Sequence, residues 1–321
     1  MNRSLAFWVG FGLVTVAALL LVAKARWDAD YYKGYDPALP LDAQEEPPAV
    51  IPEYQRTEFS FAGVAGEDRV PGVLATPRSW DGPYPCVIFL HGIGQKKEFI
   101  DTIAPQFVGG GFAIATFDQY TRGERRLADD ADKITEALAL RRRGALTVLE
   151  TRRLVDYLVT REDIDAHRLY LVGASFGAIT GSTAFAFEPR LQAGVLVYGG
   201  GNLRLLLDSP QTRDLLGIWT QPAVCLAAFF LAPADPIRYV AWASPRPVLF
   251  QNGTRDTLVP AASGEALFQA AHEPKEIIWY DSDHIGLDEE HVVVVLNDAI
   301  EWLRTQDLQV RKGVQGVSHA T

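Results

Sequence analysis

Leu169–Thr180 reads LYLVGASFGAIT, an apolar run that stops at Ser175 with Gly173 and Gly177 two residues to either side. Two readings compete. As the N-cap of a helix beginning at Phe176, the serine would fill an ordinary role, its side-chain oxygen accepting an amide N–H of the first turn. As a nucleophile on a sharp strand-to-helix turn, it would sit in a G-x-S-x-G pattern, with glycines where a Cβ would collide with the returning backbone. The second reading makes a demand the first does not: a base and an acid must lie at the same edge of the same sheet.

The surrounding chain supplies such a sheet. CVIFLHG (86–92), FAIATFD (112–118), RLYLVGAS (168–175) and AGVLVYGG (193–200) are near-continuous apolar runs, with PVLFQNG (247–253) and EIIWYDSDH (276–284) after them. Runs of this kind suit strands covered on both faces, the pattern of a parallel sheet. Between them lie segments with helical spacing: 96–111, which contains Pro105, about 132–160, FGAITGSTAFAF (176–187) and the closing EHVVVVLNDAIEWLRTQ (290–306). RTEFSFAGV and RVPGVLATP alternate and are joined by AGED (65–68), so they predict an antiparallel pair ahead of the main sheet. Alternating strand and helix predicts an α/β fold, a doubly wound, mostly parallel sheet with helices on both faces. An insertion at about 202–244 predicts a helical cap, and its apolar piece PAVCLAAFFLA is too short to span a bilayer. That apolar cap predicts an acyl or aromatic group in the pocket.

A serine hydroxyl needs a base, usually histidine, oriented by a carboxylate. His319 lies in the terminal tail, His167 and His272 precede strands, His291 lies inside the closing helix, and His91 is followed by glycines. His284 follows the last strand at the carboxyl edge and is the predicted base. Asp256, a few residues past PVLF, is the predicted acid over Asp281 and Asp283, which share a loop with His284. The resulting order, Ser175, Asp256, His284, has the nucleophile first and the base last. Acyl transfer also needs two N–H groups aimed at the developing oxyanion. Phe176 supplies one, and the HGIG loop (91–94) supplies the other through Ile93, with Gly94 as the alternative.

These stretches carry a resemblance. VIFLHGIG, LVDYLVTREDIDAHRLYLVGASFGAI, SPRPVLFQNGTRDTLVP and DSDHIGL resemble the α/β-hydrolase superfamily, near its dienelactone hydrolase, acetyl xylan esterase and prolyl-oligopeptidase-like branches. The resemblance covers most of 53–304. It implies a serine hydrolase cleaving carboxylic esters, with no metal or organic cofactor. A peptidase or thioesterase using the same three residues is the alternative, and a non-catalytic binding protein of the same fold is a third. Ala178 departs from the Gly-Gly common in these families at this point. The loop FDQYTRGERR is similar to one that approaches the active site in the family, which brings Tyr120 and Arg122 into question.

Outside the domain, 1–26 holds an uncharged stretch from Ser4 to Ala23, bounded by Arg3 and by Lys24 and Arg26. It is long enough to span a bilayer and reads as a membrane anchor, with a cleaved signal segment as the alternative. A domain delivered beyond the membrane follows from it, secreted if the segment is cleaved. Residues 27–52, acidic and with five prolines, read as a linker or strap, and 305–321 as a flexible tail. With 48% hydrophobic and 22% charged residues, the chain is composed as a folded protein. Its net charge of −10 argues against a nucleic-acid partner and leaves a small ester as the expected one. The basic run Arg141–Arg143 reads as a solvated helix face, and Cys86 and Cys225 as two buried small hydrophobes.

Overall fold

Strands buried on both faces form the centre of the structure, a computed structural model that describes residues 3–64, 68–78, 80, 82–285 and 289–318. Residues 65–67 of the expected AGED turn, and His319, lie outside the described residues. The chain divides into two units, Met1–Lys33 and Gly34–Thr321.

The first unit is the helix α1, Arg3–Ala29. At 1.5 Å per residue it is roughly 40 Å long. It continues three residues past the expected 1–26 segment, where Lys24 pairs with Asp28 one turn on.

Among its described residues the second unit holds ten strands. They are β1 (Gln44–Glu45), β2 (Ala49–Val50), β3 (Tyr54–Ala62), β4 (Arg69–Pro77), β5 (Tyr84–Leu90), β6 (Ala113–Phe117), β7 (Ile164–Ala174), β8 (Leu191–Val197), β9 (Val248–Gly253) and β10 (Lys275–Tyr280). They make one mixed sheet in the order β1-β3-β4-β6-β5-β7-β8-β9-β10, with β2 also paired to β3. From β6 to β10 all neighbours are parallel, whereas β1 to β4 are joined antiparallel. Every residue of β5, β6 and β9 is buried, as their continuous apolar runs require, while β3 alternates as a strand near an edge does. The segment 34–52 is held to the domain by β1, by β2 and by the Arg153 guanidinium, which donates to Leu39 O and Pro40 O.

Among the described residues eight α-helices accompany the sheet: α2 (Ile100–Gly109), α3 (Lys133–Leu158), α4 (Phe176–Phe187), α5 (Leu203–Leu207), α6 (Pro210–Leu216), α7 (Thr220–Leu231), α8 (Ala261–Ala270) and α9 (Glu289–Ser318). Helices α2 and α9 cover one face of the sheet, packing Ile103, Phe107, Leu296 and Leu303 against Val87, Val172 and Val195. The opposite face carries α4, with α3 packed against it. Pro105 lies inside α2 without ending it, and the start of this helix is delayed to Ile100 by a 3-10 turn over Lys97–Phe99.

Four expectations need correction. The tail expected at 305–321 is helical to Ser318, because buried Asp307 accepts hydrogen bonds from Arg168 Nε at 2.7 Å and Tyr170 OH at 2.8 Å. Arg141 and Arg143 are buried rather than solvated. Arg141 Nη1 donates to Phe230 O at 2.6 Å, and Arg143 Nε donates to Tyr120 O at 2.8 Å and to Thr121 Oγ1. Cys86 is buried but Cys225 is exposed on α7, where Thr220 and Val224 are the buried residues. The insertion is helical, yet its apolar run is longer than expected. Pro210–Ala234 has the length and composition to cross a bilayer, with 11% of its most apolar window buried, and it is broken at Gly217, whose φ is +52°.

Candidate active site

Ser175 follows the last residue of β7 and precedes the first of α4. Its φ is 54° and ψ −118°, a conformation that non-glycine residues rarely adopt. The turn is closed by close approaches: a Cβ on Gly173 would lie 2.2 Å from Gly177 O, and one on Gly177 would lie 1.8 Å from Leu90 O. Both glycines are therefore steric requirements. The N-cap reading fails, since the Ser175 side chain makes no capping bond to α4.

The hydroxyl points instead at a histidine. Ser175 Oγ lies 2.9 Å from His284 Nε2, and His284 Nδ1 lies 2.7 Å from Asp256 Oδ2. The aspartate carboxylate takes the Nδ1–H, which leaves the Nε2 lone pair facing the serine hydroxyl. The other carboxylate oxygen, Asp256 Oδ1, accepts the Leu258 and Val259 amides, both at 2.8 Å, so the acid is fixed by the loop it begins. Asp283 is occupied elsewhere. Its Oδ1 accepts the amides of Thr257 and His284, at 2.9 and 2.7 Å, and these bonds hold its pKa below the usual carboxylate range. It clips the His284 loop to the Asp256 loop without touching the imidazole ring. Asp281 is exposed and pairs with Arg255.

The HGIG loop follows β5, the neighbour of β7. Gly92 lies against the serine, since a Cβ there would sit 3.7 Å from Ser175 Cβ. A network holds the loop: Gln119 Nε2 donates to His91 O at 2.8 Å, Gly92 N donates to Gln95 Oε1 at 2.9 Å, and Arg122 Nε donates to Ile93 O. Burial lowers the His91 pKa to about 4, so this histidine is a neutral structural group near neutral pH. Among the described residues no acceptor takes the amide N–H of Phe176 or Ile93. Arg122 thus acts on the loop from behind, and Arg125 is committed to buried Glu150 through a two-pronged ion pair at 2.7 Å.

Sequence reasoning missed a second layer. Tyr198, directly after β8 with φ 52°, stands edge-on to His284 at 5.9 Å between ring centres. Its hydroxyl meets Ser282 Oγ and His291 Nε2, the latter at 2.6 Å, and burial raises its pKa. The signal was the tyrosine of VLVYGG at the carboxyl edge, the edge that supplied the other three groups.

A cavity of about 240 Å³ opens beside Ser175 and His284. No residue of 202–244 lines it, so the cap gives no ground for the acyl or aromatic group expected in the pocket. The cap instead exposes Leu215, Ile218, Trp219 and Leu226 on the surface.

The profile of the dienelactone hydrolase family matches residues 70–305. The chain belongs to the dienelactone hydrolase family. Among curated relatives it is 23% identical over 210 residues to the hydrolase-named YtaP of Bacillus subtilis (strain 168), covering 61% of this chain and 68% of that one. It is 28% identical over 176 residues to 2,6-dihydropseudooxynicotine hydrolase of Paenarthrobacter nicotinovorans, covering 53% of this chain but only 42% of the relative. To esterase YjfP of Escherichia coli (strain K12) it is 25% identical over 201 residues, or 60% and 77% of the two chains. An acetyl xylan esterase from Paenibacillus sp. R4 shares the α/β-hydrolase fold at TM-score 0.68 and 18% identity, over 85% of this chain and 93% of that one. This member of the dienelactone hydrolase family is thus an esterase-type hydrolase. Its departure at Ala178 has a local explanation. A Cβ on Gly199 would lie 2.7 Å from Ala178 Cβ, so the glycine after Tyr198 supplies the room that the alanine methyl takes.

Proposed function

We propose that the protein hydrolyses carboxylic esters through an acyl-enzyme on Ser175. The supporting observation is the continuous chain from Ser175 Oγ through His284 to Asp256, with bonds of 2.9 and 2.7 Å. His284 Nε2 takes the hydroxyl proton as Oγ attacks the ester carbon. The carbonyl oxygen, now an oxyanion, is held by the Phe176 and Ile93 N–H groups. When the C–O bond breaks, the alkoxide leaves with the proton from Nε2. A water then attacks the acyl-enzyme and yields its proton to Nε2. Collapse frees the acid, and Oγ is reprotonated. Asp256 fixes the imidazole tautomer throughout. Stopped-flow mixing with p-nitrophenyl acetate tests this: wild type releases p-nitrophenol with turnover, while Ser175→Ala loses about 10⁴-fold or more of kcat. Undiminished turnover by Ser175→Ala would refute the reading.

We read α1 as an uncleaved anchor that holds the catalytic domain on the extracytoplasmic side of a membrane. Its uncharged Ser4–Ala23 stretch supports this, as do the exposed Phe11, Leu13, Leu19 and Leu20 along it. Full-length protein stays in the membrane pellet after carbonate extraction, and deletion of residues 1–26 releases it. Release of the full-length chain would contradict the anchor.

A further inference from the structure

The cavity beside Ser175 runs from a mouth at exposed Ile93 and Leu258 down between the sheet and the helices α2 and α9. Its walls are Phe89 and Val172 from neighbouring strands, Phe99 and Ile103 at the start of α2, and Val292 and Val295 on α9. Phe89 pairs with Val172, and Val172 lies three residues before the serine on β7. At about 3.3 Å per strand residue this places the floor roughly 10 Å below the nucleophile. Between them, on the same face as Val172, Ala174 presents only a methyl group, which leaves the slot open at its neck. Phe89, Ile103, Val172 and Val295 are each at most 2% exposed, so the slot ends inside the hydrophobic core.

From this geometry we propose that the slot is the acyl site, and that it takes an unbranched, uncharged acyl chain of about six to eight carbons. The inference rests on the ester-hydrolase reading above and adds the substrate class. The roughly 10 Å from nucleophile to floor takes an extended chain of about eight carbons, since each carbon–carbon bond of about 1.5 Å advances it by about 1.3 Å. Width favours a straight chain, since ring and branched-residue walls from strand, α2 and α9 converge on it. An acid with a second carboxylate does not fit. Among the described residues no Lys or Arg lines the slot, and an ion there would be stripped of water without a partner. The alcohol portion stays at the mouth, beside exposed Ile93 and Leu258, where it leaves to solvent.

Two measurements test this. The first is kcat/KM over p-nitrophenyl esters from acetate to dodecanoate. Burying a methylene contributes about 0.8 kcal/mol, or close to fourfold, so kcat/KM climbs by up to that factor per carbon to a maximum at C6–C8 and then falls. Val292→Trp, at a half-buried position on α9, moves the maximum to C4 or shorter, and Ile103→Ala moves it to longer chains. The second is calorimetric titration of Ser175→Ala protein with methyl octanoate and methyl acetate, which needs no catalysis. Octanoate binds at least tenfold more tightly, and Val292→Trp in the same background removes the difference. Acetate as the best substrate, or a maximum that neither variant moves, overturns the acyl-site assignment while leaving the esterase reading intact. Selective octanoate binding without turnover of any ester by wild type keeps the slot and refutes the catalytic reading.

Discussion

Holding Ser175 at φ 54° costs about 1–3 kcal/mol, and the surrounding contacts must sustain it. Two carboxylates near the base have separate work. Asp256 bonds the ring and Asp283 bonds the backbone amides of both loops, so substitution separates them. Asp256→Asn lowers kcat about 10⁴-fold by favouring the wrong tautomer. Asp283→Asn keeps the tautomer and loosens the loops, for a loss nearer tenfold, and steady-state kinetics on one ester measures both. Equal losses would mean that the acid is misassigned. Arg122 is a positioning residue, donating to the carbonyl of Ile93. A hydrogen bond from a charged donor contributes about 1.5 kcal/mol, so Arg122→Ala lowers kcat by roughly tenfold with KM nearly constant. A rise in KM at constant kcat would place the arginine against substrate instead. Ser175, His284 and Asp256 were legible in the sequence because each ends a recognisable apolar run. The contacts of Tyr198 and Asp283 were not, because a place at the carboxyl edge does not say which side chain packs on the His284 ring and which bonds its loop.

Legibility of the elements followed the strength of their apolar pattern. β5, β6, β7 and β9 are buried runs and fell close to their expected places. The end of α9 was read as a tail because RTQDLQVRKGVQG shows no apolar stripe. What holds it is polar and distant: Arg168 reaches Asp307 across 139 residues of sequence. Buried charge networks of this kind leave no periodic trace. Asp307→Ala leaves the Arg168 guanidinium and the Tyr170 hydroxyl facing an empty site, and the expected loss is about 3 kcal/mol. Thermal unfolding should show a fall in Tm of roughly 6–12 °C for a domain of this size. An unchanged Tm would mean that the C-terminal turns of α9 add nothing to the domain. Arg141 and Arg143 make the same point. A run of three arginines reads as a solvated face until α3 is seen to bury two of them.

At the scale of the whole molecule, buried His91 contributes to the pH dependence of stability. His91 is fully buried and its folded pKa is about 4, against about 6.5 when unfolded. Between these values the unfolded chain binds the proton and the folded chain does not, so stability rises with pH there and is lost on acidification. The full change is about 3 kcal/mol. Urea unfolding at pH 4 and pH 7 should show that His91→Gln has a smaller acid-induced loss than wild type, and identical losses would mean that His91 is protonated while folded. The mostly parallel sheet with helices on both faces was legible along most of the chain, whereas the order of its strands was not read from the sequence. The cap's relation to the pocket was not legible, because apolar composition does not say what a segment faces, and this one leaves Leu215, Ile218, Trp219 and Leu226 exposed. The proposed role of Ser175 as nucleophile is open to covalent labelling. Wild type treated with a fluorophosphonate and mapped by peptide mass spectrometry should carry one adduct, on Ser175, and Ser175→Ala should carry none. An adduct on another residue, or a wild type that stays unmodified, would mean that Ser175 is not the nucleophile.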